Sequence, residues 1–276
     1  MSLYSGKKQE NLDKLIYWIN ERYRVKVVKE AGAAKPWSLD KTFQETYFCN
    51  VHREDDKVTR GIRNRFDPTY LSVATQNMIM ARFVNKLETL FSLGWPWATF
   101  SPPMWRAVMS KGGSWGSAYI VSTNGRSMPK HEYIGGLLRG VWGQKDLLGS
   151  ATTLAQAHVA LTGLQGLGSF MSAQVIADLK NTAGHELSCA EDFNTWCAHG
   201  PGSLRGMAWV NGVERVTPKE FYHCMPWLHE EVTERLSGTE ILPLHAQDLQ
   251  NCLCEFDKYM RVSTNCGRSK RRYNGT

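Results

Sequence analysis

Leu161-Thr-Gly-Leu-Gln-Gly-Leu-Gly168 is the stretch on which the fold turns. It fits an apolar-x-x-Leu-x-Gly-apolar-Gly pattern, the spacing of a helix-hairpin-helix. Gly166 and Gly168 carry no side chain, so the turn can be tight and its backbone can come close to another molecule. The turn feeds the start of a helix, whose unpaired N–H groups and dipole attract an anion. Helices are expected at 150–162 and 169–180 on either side of it. Small Ser172-Ala173 and apolar Val175-Ile176 suit the packing face of the second helix. A DNA phosphodiester fits such a grip, which makes Gly166, Gly168 and Ser169 candidate DNA contacts. The plain alternative is a glycine linker between two helices.

Outward from the hairpin the chain reads as mainly α. Leu12, Leu15, Ile16 and Ile19 mark an amphipathic first helix. Val25-Lys-Val-Val28 reads as a short strand or an extended connector, and Ala31-Gly-Ala-Ala-Lys-Pro36 breaks the chain. A charge-dense helix is expected from Phe43 to Arg63. Ile79, Phe83, Leu87, Leu90 and Phe91 form one further stripe, ended by Gly94-Trp-Pro96. Pro102-Pro103 can start a short helix. Ser117 to Thr123, before Asn124-Gly125, leaves a small β-hairpin and an irregular segment equally open. Ile134 to Trp142 is expected to be helical. Thr217-Pro-Lys-Glu220 combines a capping box with Pro at the first helical position and sets a helix over 218–236. Another is expected from Leu244 to Phe256.

The 276 residues suit one domain of two intimate lobes over 1–260, followed by a basic tail at 261–276. The net charge of +7 favours a polyanionic partner. The tail holds Arg261, Arg268, Lys270, Arg271 and Arg272 and no acid, so it is either a solvated end or a phosphate-binding arm through Arg271 and Arg272. Most of the ten Trp are expected to pack the core. The seven Cys are odd in number and lack zinc or iron–sulfur spacing, which points to reduced thiols. No export signal and no membrane span are expected.

Three further blocks carry chemistry. An isolated acid such as Asp192 is as often an N-cap or a solvated loop residue. Here Asp192-Phe-Asn-Thr-Trp196 runs on to Gly200-Pro-Gly-Ser-Leu-Arg-Gly206. Gly200, Gly202 and Ser203 with Arg205 resemble a nest of N–H groups beside a guanidinium, a seat for phosphate or pyrophosphate. A carboxylate beside an anion cradle suggests proton abstraction with a phosphorylated leaving group. In Tyr47-Phe-Cys-Asn-Val-His-Arg-Glu-Asp-Asp56, Arg53 is expected to share a helix face with Arg60 and Arg63. That face is either a salt-bridged surface or, through Asn50 and Arg53, a substrate contact. Glu255, Asp257 and Lys258 form an ion-pair set or a site, which spacing does not separate.

These blocks, with Pro36-Trp37, Gly116-Ser-Ala-Tyr-Ile-Val121 and Cys254-Glu-Phe-Asp-Lys-Tyr259, resemble the α-glutamyl/putrescinyl thymine pyrophosphorylases of bacteriophages over residues 35 to 260. Those enzymes are relatives of helix-hairpin-helix DNA glycosylases, and a similar helical domain occurs with phage 5-hydroxymethyluracil DNA kinases. The resemblance implies a glycosylase-like helical fold and DNA hypermodification in the cytoplasm of an infected bacterial host. A kinase activates 5-hydroxymethyluracil in DNA as a phosphate or pyrophosphate ester. An amine from an amino acid or polyamine then replaces that group on a flipped base. Asp192 would deprotonate the amine, Gly200 to Arg205 would hold the pyrophosphate, and Tyr119 joins Asn50 and Arg53 as a substrate-binding candidate. No cofactor is expected, although a divalent metal could accompany pyrophosphate. The chain departs from bifunctional glycosylases at Phe170, where they carry a lysine, which argues against Schiff-base chemistry. A monofunctional glycosylase and a non-catalytic DNA-binding partner of the kinase are the competing readings. No Gly-x4-Gly-Lys-Ser/Thr loop supports a kinase.

Overall fold

The computed structural model describes residues 3–119 and 121–267. Among them there are helices and connecting loops but no β-strand. The twelve α-helices are α1 (Leu3–Glu30), α2 (Lys41–Glu45), α3 (Lys57–Arg65), α4 (Ala74–Val84), α5 (Leu87–Ser92), α6 (Pro102–Met109), α7 (Lys130–Trp142), α8 (Leu154–Thr162), α9 (Ser169–Lys180), α10 (Pro201–Asn211), α11 (Pro218–Leu236) and α12 (Ala246–Ser263). Short 3₁₀ turns occupy Arg53–Asp55, Pro68–Val73 and Glu186–Cys189. The mainly α reading therefore holds, and the described part of 117–125 is irregular.

The chain divides into two compact units. One joins the chain up to Asp56 with the chain from Cys197 onward, and the other is Lys57–Trp196. Each has its own apolar core. In the first unit, Leu15, Trp18 and Ile19 of α1 pack with Phe48, Phe221, Leu249 and Phe256. In the second, Ile79 and Met80 of α4 pack with Trp95, Ile134, Leu161, Val175 and Ile176. Burying such side chains stabilises each unit by about 1.5–3 kcal/mol apiece.

Several boundaries differ from the sequence reading for physical reasons. Residues 25–28 continue α1 instead of forming a strand. Val25 is buried on the face that carries Trp18 and Arg22, and that burial overrides the β-branched preference. The helix expected from Phe43 to Arg63 is broken. After α2 the backbone is irregular to His52, and Arg53 lies in a 3₁₀ turn of the first unit. Arg60 and Arg63 lie on α3 of the second unit, so the three arginines do not share a helix face. The stripe from Ile79 to Phe91 is split between α4 and α5 at Asn85, which is left-handed with φ 45°. α12 runs on to Ser263, and Arg261 within it donates to Asp257. Arg271 and Arg272 lie outside the described residues.

One buried group gives the second unit a pH signature. Burial pushes the His185 imidazole from 6.5 down to about 4. Between those values the unfolded chain takes a proton that the folded chain refuses. The stability is therefore full above the unfolded value and is lost as pH falls toward 4. The linkage amounts to about 3 kcal/mol at most. Urea midpoints of the wild type and His185→Gln, taken near neutrality and at about pH 4.5, should approach one another in acid. Parallel pH slopes would contradict this.

Candidate nucleic-acid interface and reaction site

The hairpin forms as its glycines demand. Thr153 caps α8 with a capping box to Gln156, and Gly163 closes the helix. Gly166 sits at φ +87°, where a side chain is strained, and a Cβ there would meet Leu137 at 2.3 Å. Gly168 is the N-cap of α9 and offers no side-chain acceptor. Its carbonyl takes the N–H of Ser172, which leaves those of Ser169, Phe170 and Met171 without a backbone acceptor among the described residues. Gly168, Ser169 and Phe170 are exposed. From Ser150 to Ala177 the chain has no charged residue, so the hairpin itself brings no carboxylate to an incoming anion. The start of α9 is thus an open set of N–H donors at the positive end of a helix dipole.

Two large apolar side chains flank the turn in solvent, Val159 at 73% exposure and Phe170 at 59%. The Tyr119 ring meets Phe170 edge-on at 5.1 Å, and its hydroxyl donates to Gln174 Oε1 at 2.9 Å. The structure therefore brings Tyr119 to the hairpin helix. His158 ties the two helices together, with Nε2 3.1 Å from the Ser169 carbonyl and 3.2 Å from its hydroxyl. The Trp196 ring lies 5.2 Å from His158. Sequence reasoning missed His158, because an isolated His in an alanine-rich helix carries no signal.

Asp192 occupies the opposite end of α8. Its Oδ1 accepts from Leu154 N–H at 2.7 Å and its Oδ2 from Ala155 N–H at 3.0 Å. The carboxylate is half-buried and caps the first helix of the hairpin, one helix length, about 13 Å, from the turn. The Asp192 carbonyl accepts from Thr195 and Trp196 N–H, which folds the segment back toward His158.

Gly200 to Arg205 belongs to the first unit and forms the start of α10, with Gly200 as N-cap and Pro201 next. The Ser203 hydroxyl takes the Gly200 N–H at 2.9 Å. Gly202 and Gly206 share the face of α10 that crosses α12. A Cβ on Gly202 would stand 2.3 Å from Cys254 Sγ, and one on Gly206 would stand 2.1 Å from the Leu253 carbonyl oxygen. Arg205, 54% exposed at its side chain, pairs with buried Asp257 at 2.9 Å, and Trp209 Nε1 and Arg261 Nε donate to the same carboxylate at 3.3 and 3.2 Å.

Asn50 and Arg53 sit in a segment held to α12. The Asn50 side chain accepts from Arg22 and donates to the Asp55 carbonyl, while Asn251 donates to the Asn50 carbonyl at 3.1 Å. The Arg53 N–H donates to Asp248 at 2.8 Å. Glu255 accepts from Cys49 N–H at 3.0 Å and from Lys258 at 2.6 Å. The acidic and basic residues of 255–258 thus do structural work. Among the described residues no group of three or more His, Cys, Asp or Glu could hold a metal ion. Among the described residues no helix is long and apolar enough to cross a membrane.

The described residues form helices and loops only, and a glycine turn joins α8 to the open N–H groups at the start of α9. The chain matches the family described as 5-hmdU DNA kinase, helical domain, over residues 9–268, and it belongs to that family. That membership points to modification of DNA carrying 5-hydroxymethyldeoxyuridine. No curated protein and no solved structure matches the chain.

Proposed function

We propose that the chain holds a strand of DNA carrying activated 5-hydroxymethyluracil while an amine replaces the phosphate or pyrophosphate on the base. The observation that carries this reading is the exposed, uncapped start of α9 in the hairpin. The family supplies the base, and the likeness to thymine pyrophosphorylases supplies the substitution. A C–N bond forms at the exocyclic methylene carbon as its C–O bond to phosphate breaks. The incoming ammonium gives a proton to a base, and pyrophosphate leaves with the electron pair of the C–O bond. Asp192 is the base in this scheme. Each of its oxygens commits one lone pair to α8 and keeps another. The target base is flipped, because the exocyclic carbon is shielded in a duplex. The chemistry acts downstream of a 5-hydroxymethyluracil DNA kinase, in the cytoplasm of a phage-infected host.

The test is mass spectrometry of pyrophosphorylated 5-hydroxymethyluracil DNA incubated with the protein and a panel of amines. The wild type should yield an amine adduct, and Asp192→Asn should reduce it by about 100-fold or more. DNA affinity should stay unchanged, and stability should fall by only about 1 kcal/mol for the weakened cap. Full activity in Asp192→Asn sinks its assignment as the base.

A second reading has its own support. Asp192 caps a helix and Arg205 serves Asp257, as expected of a non-catalytic DNA-binding partner of the kinase. In that case no amine yields an adduct, and adding the protein accelerates phosphorylation of 5-hydroxymethyluracil DNA by its kinase.

A further inference from the structure

The second unit holds a polar cavity of about 330 Å³ at the start of α4, which the scheme above leaves unused. Thr75, Gln76, Lys145, Asp146, His185 and Glu186 are among the residues that line it. Thr75 is 8% exposed and His185 7%, so both are more than nine-tenths buried. The Thr75 hydroxyl has no hydrogen-bond partner among the described residues. His185 Nδ1 accepts from Leu187 N–H at 3.2 Å, which puts the ring proton on Nε2. That Nε2–H has no acceptor in the described protein, although it belongs to a buried ring on the cavity wall. Burial holds the imidazole down to about 4, so it is a neutral donor at physiological pH. Lys145 is exposed at the same cavity and pairs with no carboxylate. α4 begins after Val73, which offers no side-chain cap. Gly184, at φ +80°, brings the backbone before His185 close to Leu71, where a Cβ would stand 3.1 Å from its Cδ1.

A hydroxyl, a neutral N–H and an ammonium lining one cavity suit a carboxylate. The same cavity also carries anionic groups. Asp146 spends Oδ1 on Leu148 and Gly149 N–H at 3.3 and 2.7 Å and keeps Oδ2, and Glu186 is exposed. Two carboxylates disfavour a phosphate dianion, and Lys145 disfavours a polyamine. A molecule with one carboxylate and one ammonium matches both kinds of group.

We propose that this cavity binds a free amino acid. Its carboxylate meets Thr75, His185 and Lys145, and its ammonium meets Asp146 and Glu186. That this amino acid is the incoming amine rests on the transfer reading above; the binding site does not.

Calorimetric titration of the full chain without DNA tests the site. Glycine, serine, glutamate, putrescine and inorganic phosphate are the probes. At least one of the three amino acids should bind one per chain, while putrescine and phosphate should not. Thr75→Val, nearly isosteric, and Lys145→Ala, at an exposed position, should each weaken that binding by about 10-fold or more. The proposal is overturned if none of the three amino acids binds below ~10 mM. It is also overturned if phosphate or putrescine binds as well as they do, or if both variants bind like the wild type. Because no DNA or turnover is involved, binding that survives a failed amine-transfer assay defeats the transfer reading and leaves the site standing.

Discussion

Arg82→Met should destabilise the second unit by about 3–5 kcal/mol. Arg82 and Asp178 are both fully buried. The guanidinium grips the carboxylate in fork fashion, Nε to Oδ2 at 2.5 Å and Nη2 to Oδ1 at 2.6 Å, and reaches Thr59 at 2.9 Å. Removing the arginine takes this two-bonded partner from a fully buried carboxylate, and the desolvated charge dominates the cost. The pair joins α4 to α9, the second helix of the hairpin, so loss of DNA affinity should accompany loss of stability. Arg82→Met combined with Asp178→Leu should recover most of the stability, because an apolar pair of similar volume leaves no orphan charge. Urea unfolding of the three proteins decides the matter. A single variant as stable as the wild type would show that the interior is far wetter than the burial of this pair indicates.

Gly206→Ala should cost about 3 kcal/mol or more, and no nearby side-chain truncation should rescue it. Its Cβ would stand 2.1 Å from the Leu253 carbonyl oxygen and 2.6 Å from the carbonyl carbon. The obstacle is backbone, so α10 and α12 must separate along their crossing. Gly202→Ala makes the contrast, because its obstacle is Cys254 Sγ, at the end of a short side chain. Cys254→Ala should restore most of the stability lost in Gly202→Ala and none lost in Gly206→Ala. Thermal unfolding of the singles and doubles reads the difference. Equal rescue at both positions would refute the packing account.

These two cases mark where the sequence is legible. α11 and the α8–α9 hairpin follow from local signals, a capping box in one and a glycine pattern in the other, whose partners lie a few residues away. The glycines at 202 and 206 were visible too, but an anion nest and a close helix crossing demand the same residue. The need for the crossing shows only in Leu253 and Cys254, which lie opposite them. Asp192 has the same difficulty: the N–H groups it caps belong to residues 154 and 155, well upstream. The segment from Tyr47 to Asp56 reads as a charged helix because its real partners, Asp248, Asn251, Glu255 and Lys258, lie about two hundred residues further on. Arg82 and Asp178 sit among apolar neighbours in sequence, and a pattern of hydrophobicity passes over them.

The division of the chain orders its birth. Lys57–Trp196 is continuous and carries its own core, so every residue it needs has been translated before α10 is made. The other unit must wait. Until α12 emerges, Arg22 lacks the pinned 47–56 segment and α1 presents Leu15, Trp18 and Ile19 to water. Synthesis thus leaves the apolar face of α1 exposed for the time taken to translate about half the protein, which makes α1 a segment open to chaperones and proteases.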